Sequence, residues 1–375
     1  MASSSLKRKK KPIIAVPNHF IHNTIEKKNV TLPAENPKGT SACMRLFIRT
    51  FIVILCLLTS AYSLQAQDAA FSQFYANPLY LNPALTGTTE CGRLHLNYRN
   101  QWPALDKAYV TYSVGYDQQL PEIRSGFGFL VMSDQQGDGA YNRTLAGGFY
   151  SYQLQIGLET FLQFGVKAAF YQEGINWSKL IFADMIDPTT GTIGIGNEIP
   201  PVSNVYAADF ATGLALSYSD KFFAGFAADH LSQPNLSFYG DENVFLPRKF
   251  TFHAGYNFNA SNGMSGAGKQ GDLLVQPNLL FMQQGEFNQL NAGVYLNKHP
   301  FVLGVWLRHS FQNPDAIVVL AGIQQEKFRI GYSYDNSVSK LSGKSGGAHE
   351  ISLAWEFCVY TRPKRRIGAI NSPRF

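Results

Sequence analysis

From about residue 93 onward, apolar and polar side chains alternate with a period of two. Val110, Tyr112, Val114 and Tyr116 fall on one face, and Thr111, Ser113, Gly115 and Asp117 on the other. Leu162, Phe164, Val166 and Ala168 alternate with Gln163, Gly165 and Lys167. Phe328, Ile330, Tyr332 and Tyr334 alternate with Lys327, Arg329, Gly331, Ser333 and Asp335; Ile351, Leu353, Trp355, Phe357 and Val359 alternate with Glu350, Ser352, Ala354, Glu356 and Cys358. A period of two is the signature of a strand with unlike faces. Segments of this kind lie near 93–101, 108–117, 125–133, 145–154, 159–171, 209–218, 221–230, 248–258, 272–282, 287–297, 301–311, 315–324, 327–335 and 348–360. The count is even, and most segments have the 9–11 residues with which a tilted strand crosses hydrocarbon.

Alternation alone does not say which face is buried. In a soluble all-β protein the charges would point outward. In a transmembrane barrel they must face the lumen, because a lipid-facing Arg or Lys at mid-bilayer costs about 2–4 kcal/mol. Connection lengths favour the barrel. Links at 155–158, 219–220, 298–300 and 325–326 are tight, whereas those at 134–144, 172–208, 231–247 and 336–347 are long. With a periplasmic N-terminus, the long links fall on the extracellular side, as in outer-membrane barrels. The long link at 259–271 and the short ones at 283–286 and 312–314 depart from that rule. The 172–208 stretch is too long for a passive turn and is expected to carry a plug, a lid or a partner contact.

Composition agrees. Only 15% of residues are charged, against roughly 25% in soluble domains. Aromatics reach 14%, yet no apolar run approaches the length of a spanning helix. The net charge of +6 belongs to the front of the chain. Residues 1–66 hold 10 Lys and Arg against Glu26 and Glu35, which leaves 22 basic and 24 acidic residues behind them. The basic balance is therefore no argument for nucleic acid.

That front end reads as targeting. Arg45 and Arg49 precede the apolar run Phe51–Leu58, and Leu64-Gln65-Ala66 is a small-residue cleavage site. The expected organisation is an extension or over-long gene start at 1–43, a signal peptide at 44–66, a periplasmic or plug segment at 67–92, the barrel at 93–360 and a basic periplasmic tail at 361–375. Lipidation at Cys56 is not expected, since Leu55 is too large for a lipobox.

Candidate chemistry is sparse. Asn77-Pro78 and Asn82-Pro83-Ala84 precede the first strand. Asn-Pro by itself initiates turns. Here Phe71, Phe74, Tyr75, Leu79, Tyr80 and Leu81 also need burial, which points to a plug inside the barrel whose Asn side chains bind lumenal charges. Asp134-Gln135-Gln136-Gly137-Asp138-Gly139 lacks the Glu that a calcium loop needs, because Leu145 stands there; a tight extracellular turn is expected. The histidines are scattered, with no metal spacing, and His309-Ser310 would point to opposite faces of a strand. No catalytic residue, metal site or cofactor is assigned. Cys91 and Cys358 flank the first and last strands, which meet when a barrel closes, with both thiols toward the lumen. Either a disulfide locks the seam or two free thiols are buried there. Arg362, Lys364, Arg365 and Arg366 make a basic cluster that either docks an acidic periplasmic partner or is a solvated tail.

Several strings occur in order: Gln67-Asp68-Ala69-Ala70-Phe71-Ser72-Gln73-Phe74-Tyr75-Ala76-Asn77-Pro78, then Asn97-Tyr98-Arg99-Asn100-Gln101-Trp102-Pro103, Gly137-Asp138-Gly139-Ala140-Tyr141-Asn142, Asp184-Met185-Ile186-Asp187-Pro188, Leu246-Pro247-Arg248-Lys249 and Gly346-Gly347-Ala348-His349-Glu350. Together they resemble the PorP/SprF family of the type IX secretion system, over nearly all of 67–375. The resemblance implies a non-enzymatic outer-membrane barrel of Bacteroidota, active in protein secretion or gliding motility. Its implied partners are outer-membrane lipid, a secreted adhesin or other type IX cargo, and the periplasmic lipoprotein and ring proteins. The family's chain end carries a Cys before Pro-Ser-Phe; Asn371-Ser372-Pro373-Arg374-Phe375 lacks it, so no role for that Cys transfers. Asn82-Pro83-Ala84 is also similar to the hatch motif of fourteen-stranded fatty-acid transport barrels. The alternative function is thus a fatty-acid-transporter-like barrel for hydrophobic small molecules. A general porin fits less well, since Phe, Tyr and Gly would crowd its lumen.

Overall fold

The computed structural model describes residues 68–105, 109–187, 189–191, 193–194, 202–240, 244–261, 263–265, 271–311, 313–338 and 343–358. The expectations for 1–43, for the signal peptide at 44–66 and for the tail at 361–375, with Arg362, Lys364, Arg365 and Arg366, lie outside these residues. Among the described residues no helix is long and apolar enough to cross a membrane. The crossing elements are strands.

Fourteen long strands follow one another: β1 (Gly92–Gln101), β2 (Tyr109–Leu120), β3 (Ser125–Gln136), β4 (Tyr141–Gln155), β5 (Thr160–Ile175), β6 (Asn204–Tyr218), β7 (Phe222–Asp229), β8 (Lys249–Tyr256), β9 (Leu274–Gln284), β10 (Phe287–Lys298), β11 (Phe301–Ser310), β12 (Asn313–Gln324), β13 (Phe328–Ser337) and β14 (Ala348–Phe357). Each pairs antiparallel with the next. β14 returns to β1, with Gly92 opposite Phe357, so the sheet closes into a barrel. A small hairpin, Phe258–Asn259 with Met264–Ser265, extends the connection between β8 and β9.

The faces are inverted relative to a soluble protein. Val114, Phe129, Val131, Val166, Phe170, Leu303, Val305 and Leu307 are exposed on the outside, while Arg99, Arg143, Lys167, Asp209, Asp335 and Glu350 are buried within. Closure pairs each of the fourteen long strands on both sides, which is the condition for placing strands in lipid. The wall is an outer-membrane-type barrel, and the charged faces look into the lumen as the cost of lipid-exposed charge demands.

The barrel has two rims. At the seam rim β1 begins and β14 ends, and the turns 121–124, 156–159, 219–221, 299–300 and 325–327 are short. The far rim gathers the described parts of the longer links, among them 102–105, 176–187, 202–203, 230–240, 244–248 and 343–347. Two links differ most from the sequence reading. The link expected at 134–144 shrinks to 137–140, because β3 and β4 continue their alternation to Gln136 and from Tyr141. The link expected at 172–208 contracts to 176–203 for the same reason. The long exception on the seam rim, 257–273, persists and carries the small hairpin.

Candidate functional site

Residues 68–91 run through the lumen. Each Asn-Pro pair starts a helical turn, because Pro at the first position has its φ preset and lacks a donor that would have no partner there. Pro78 opens Pro78–Leu81, and Pro83 opens Pro83–Leu85. Asn82 stands in extended backbone, which a following Pro favours, and its Oδ1 accepts from the Ala84 N–H at 2.9 Å. The two turns give the segment apolar width. Phe74 meets Trp306 edge-on at 4.7 Å, and Tyr75 meets Phe223 at 5.8 Å. Phe71 and Leu79 pack on the other side with Leu130, Leu145 and Phe149.

The chain descends from the far rim to the seam rim. Asp68 lies at the far-rim ends of β4 and β8, where Arg143, Lys249 and His230 hold its carboxylate at 3.2, 2.8 and 2.8 Å. Burial alone would raise the Asp68 carboxyl, but His230, Lys249 and Arg143 outweigh it and keep it well below its ordinary range. The segment at 67–92, expected to be periplasmic or a plug, thus lies in the lumen and starts at the far rim. β1 does begin at the seam rim, but the plug first crosses the whole lumen to reach it.

Lower down, Glu350 accepts from the backbone N–H groups of Ser72 and Gln73 at 2.7 and 3.0 Å. Arg99 bridges Glu350 and Asp335 at 2.9 and 2.8 Å, and Ser72 Oγ donates to Asp335 at 2.6 Å. Arg308 reaches Asp335 and Asp315. Gln73 donates to the Glu350 carbonyl and accepts from Ser352. Next, Asn77 Nδ2 donates to Ser113 Oγ at 2.9 Å.

Asn82 Nδ2 meets the carbonyls of Leu214 and Phe226 at 3.0 and 3.3 Å and lies 3.2 Å from His253 Nε2. Asn77 and Asn82 therefore bind neutral groups, contrary to the expected lumenal charges. The uncharged amide suits exposed strand carbonyls, and the charges are engaged by Asp68, Ser72 and Gln73 instead. Pro83 and Ala84 reach the wall because it is bare there. A Cβ on Gly165 would lie 2.2 Å from the Ala84 N, and one on Gly213 would lie 2.0 Å from Asn82 Oδ1. Gly165 and Gly213 are cross-strand partners, and Gly225 continues the bare patch on β7.

At the bottom, Ser151 and Gln163 both donate to the Thr86 carbonyl at 2.7 Å. Gly87 adopts a φ of +65° against Gly126 and donates to Asp117, which also takes a bidentate pair from Arg93. The segment then meets the seam, where Cys91 and Cys358 are bonded with Cα atoms 4.6 Å apart. Above the plug the far rim encloses a cup of about 480 Å³. Phe71, Phe74 and Met282 meet Arg99, Arg308 and Lys249 on its lining. Asp134, considered above in a turn, is an inward residue of β3 that accepts from Thr111 Oγ1 at 2.6 Å.

The sequence motif marks the Asn-Pro turns but not their receptors. Glu350, Arg99 and Asp335 carry the signal of charge on an inward face. Gly165, Gly213 and Gly225 carry that of glycine at inward positions on consecutive strands. Neither signal names the plug as the partner.

Comparison with known proteins gives a family. The model of the family described as "Type IX secretion system membrane protein PorP/SprF" matches residues 63–355. Among curated proteins no sequence matches this chain. Similar solved structures include a deltaS2S3 mutant of the TodX monoaromatic hydrocarbon channel, with TM-score 0.46, 12% identity, and coverage of 74% of this chain and 94% of that one. The P. putida toluene transporter TodX gives TM-score 0.44, 10% identity, and 74% and 93% coverage. BamA from Haemophilus ducreyi lacking POTRA domains 1–3 gives TM-score 0.35, 9% identity, and 72% and 71% coverage.

Proposed function

The chain belongs to the PorP/SprF family of type IX secretion system membrane proteins, and from that footing we propose that it serves, without catalysis, as a plugged outer-membrane platform for a secreted partner protein. It supports secretion or surface attachment of an adhesin-like cargo, or docks the periplasmic secretion complex. The observation that carries this reading is the plug. A lumen filled from Asp68 to Cys91 and fixed to both sides of the wall suits a partner-binding barrel better than an open pore. The long far-rim links offer contact area on the outer side, and the basic cluster Arg362, Lys364, Arg365 and Arg366 is proposed to meet acidic periplasmic proteins.

The test is cross-linking in intact cells followed by purification of the full chain. A large surface protein or the periplasmic ring proteins should co-purify, and charge reversal of the basic cluster should reduce only the periplasmic set. Recovery of neither set would overturn the reading. The second reading, passage of hydrophobic small molecules, rests on the apolar side of the far-rim cup. Retention of a lipid-like molecule, or an uptake defect with secretion intact, would favour it.

A further inference from the structure

A second cleft lies on the outside of the barrel, away from the plug, where β4, β5 and β6 reach the far rim. Its volume is about 760 Å³, within the range of ligand sites. The strand register builds it. Thr144, Gln172 and Tyr206 lie side by side across the three strands, and Asn142, Gly174 and Asn204 form the next row toward the rim. Their sequence neighbours Arg143 and Glu173 are paired and buried in the lumen, so the cleft rows point outward. Gly174 leaves a gap between the two Asn residues; a Cβ there would come 2.9 Å from Asn204 Oδ1. Trp177 stands beside the gap, stacked on Phe182 at 6.2 Å.

Two features give the cleft a chemistry. The first is its height on the wall. Phe170 and Tyr206 stack at 5.8 Å directly on its membrane side, and Val166 and Phe210 are exposed below them. Aromatics at that level form the girdle that ends the apolar band, so the amides and hydroxyls above it sit among lipid headgroups. The second is its charge. No lining residue is ionisable, and the nearby Lys179 is engaged by Asp138 through its carboxylate and carbonyl. A phosphate site would present Arg or Lys. Amides and hydroxyls beside an indole suit uncharged sugar hydroxyls. The buried Trp177 indole N–H meets no acceptor among the described residues, and a hydroxyl at its edge would supply one.

We infer that the outward cleft of Asn142, Thr144, Gln172, Asn204 and Trp177 binds the neutral sugar of an outer-leaflet glycolipid. The far rim faces outward because the long links gather there. The sugar lies in the cleft with its acyl chains below, along the exposed aromatic wall. Such a contact fixes the barrel's depth and rotation in the leaflet independently of any secretion partner.

The probe is the oligosaccharide released from outer-membrane glycolipid by mild acid and then dephosphorylated, titrated into the detergent-solubilised full chain. Calorimetry and tryptophan fluorescence should both register binding. The triple variant Asn142→Ala/Gln172→Ala/Asn204→Ala should bind at least about tenfold more weakly, for the loss of several hydrogen bonds. Thr144→Val, which keeps the shape and removes one hydroxyl, should weaken binding by a smaller factor and guards against misfolding of the triple variant. Equal binding by wild type and both variants, or no binding by wild type, overturns the inference. Binding only while the phosphates remain also overturns it, in favour of an anion site. The soluble probe reads the cleft whichever way the barrel faces.

Discussion

The two walls that grip the plug do so by different physics. On β5, β6 and β7 the contact is one of shape: Gly165, Gly213 and Gly225 leave a bare surface on which Asn82-Pro83-Ala84 lies, with only neutral hydrogen bonds. On β1, β13 and β14 the contact is ionic: Glu350, Asp335 and Arg99 hold Ser72 and Gln73 through charge-assisted bonds. The difference teaches how a lumen can be both filled and polar. A buried charge needs partners, and the plug's own N–H groups serve as partners on one side. Where the wall offers only strand carbonyls, an amide and missing side chains do the same work.

The comparison can be broken first on the shape side. Gly165→Val drives atoms into the plug backbone at Pro83 and Ala84, and Gly213→Val into the Asn82 side chain, together an overpacking larger than the usual roughly 1–3 kcal/mol. The expected outcome is an unseated plug, read as a rise in ion conductance of the protein in planar bilayers. Unchanged conductance and an unchanged urea midpoint would remove the shape argument.

On the ionic side, Glu350→Ala leaves two plug N–H groups without their acceptor and takes from Arg99 one of its two carboxylates, with an expected loss of about 3–5 kcal/mol. Glu350→Gln, which keeps an acceptor, should lose less. A urea series on the two variants checks the order. If the two prove equally damaging, charge is not what this wall contributes.

Reducing Cys91–Cys358, which spans 267 residues, should lower stability by about 2–4 kcal/mol while conductance stays low, because neither plug wall is touched. Heat-modifiable gel migration with and without reductant measures this. Loss of closure on reduction would mean that the seam, not the walls, retains the plug.

Asn82→Ala removes the amide from two carbonyls and His253 and should cost about 1–3 kcal/mol. Its effect should add to that of Glu350→Ala, since the two sites share no partner. A double-mutant cycle in urea tests the independence of the walls.

The smallest effect is expected from pH at the far-rim anchor. The folded Asp68 carboxyl is held below its ordinary value of 3.8. Its contribution is therefore fully present above that value and is lost as pH falls through the lower folded value. Below about pH 5, where His230 is protonated in the folded and the unfolded chain alike, an Asp68→Asn variant should differ from wild type in thermal stability by less as pH drops further. A difference that instead grows on acidification would assign the anchor to another group.

Strand number and the inward face of each strand were legible because both rest on a local period of two. Arg143, Lys167 and Glu350 flag the lumen in the sequence itself, since charge on one face of a lipid-embedded strand has only one place to go. The boundaries at Gln136, Tyr141, Ile175 and Asn204 were less legible, because Gly and Asp near a strand end read equally well as turn. The Asn-Pro pairs announced two turns in a segment needing burial. They did not reveal that Asp68 lies at the far rim, because the direction of an irregular segment depends on contacts more than a hundred residues away.

The sequence by itself determined the wall: its period, its even count, its inverted faces and the closure that brings Cys91 beside Cys358. Those features follow from local alternation and from the cost of charge in lipid. Only the tertiary structure decided what fills the wall and what decorates it. The seating of Ala84 on Gly165, the grip of Glu350 on Ser72 and the outward rows beside Trp177 all depend on strand register. Register brings together residues that no local pattern relates, and for that reason the sites appear only once the barrel is closed.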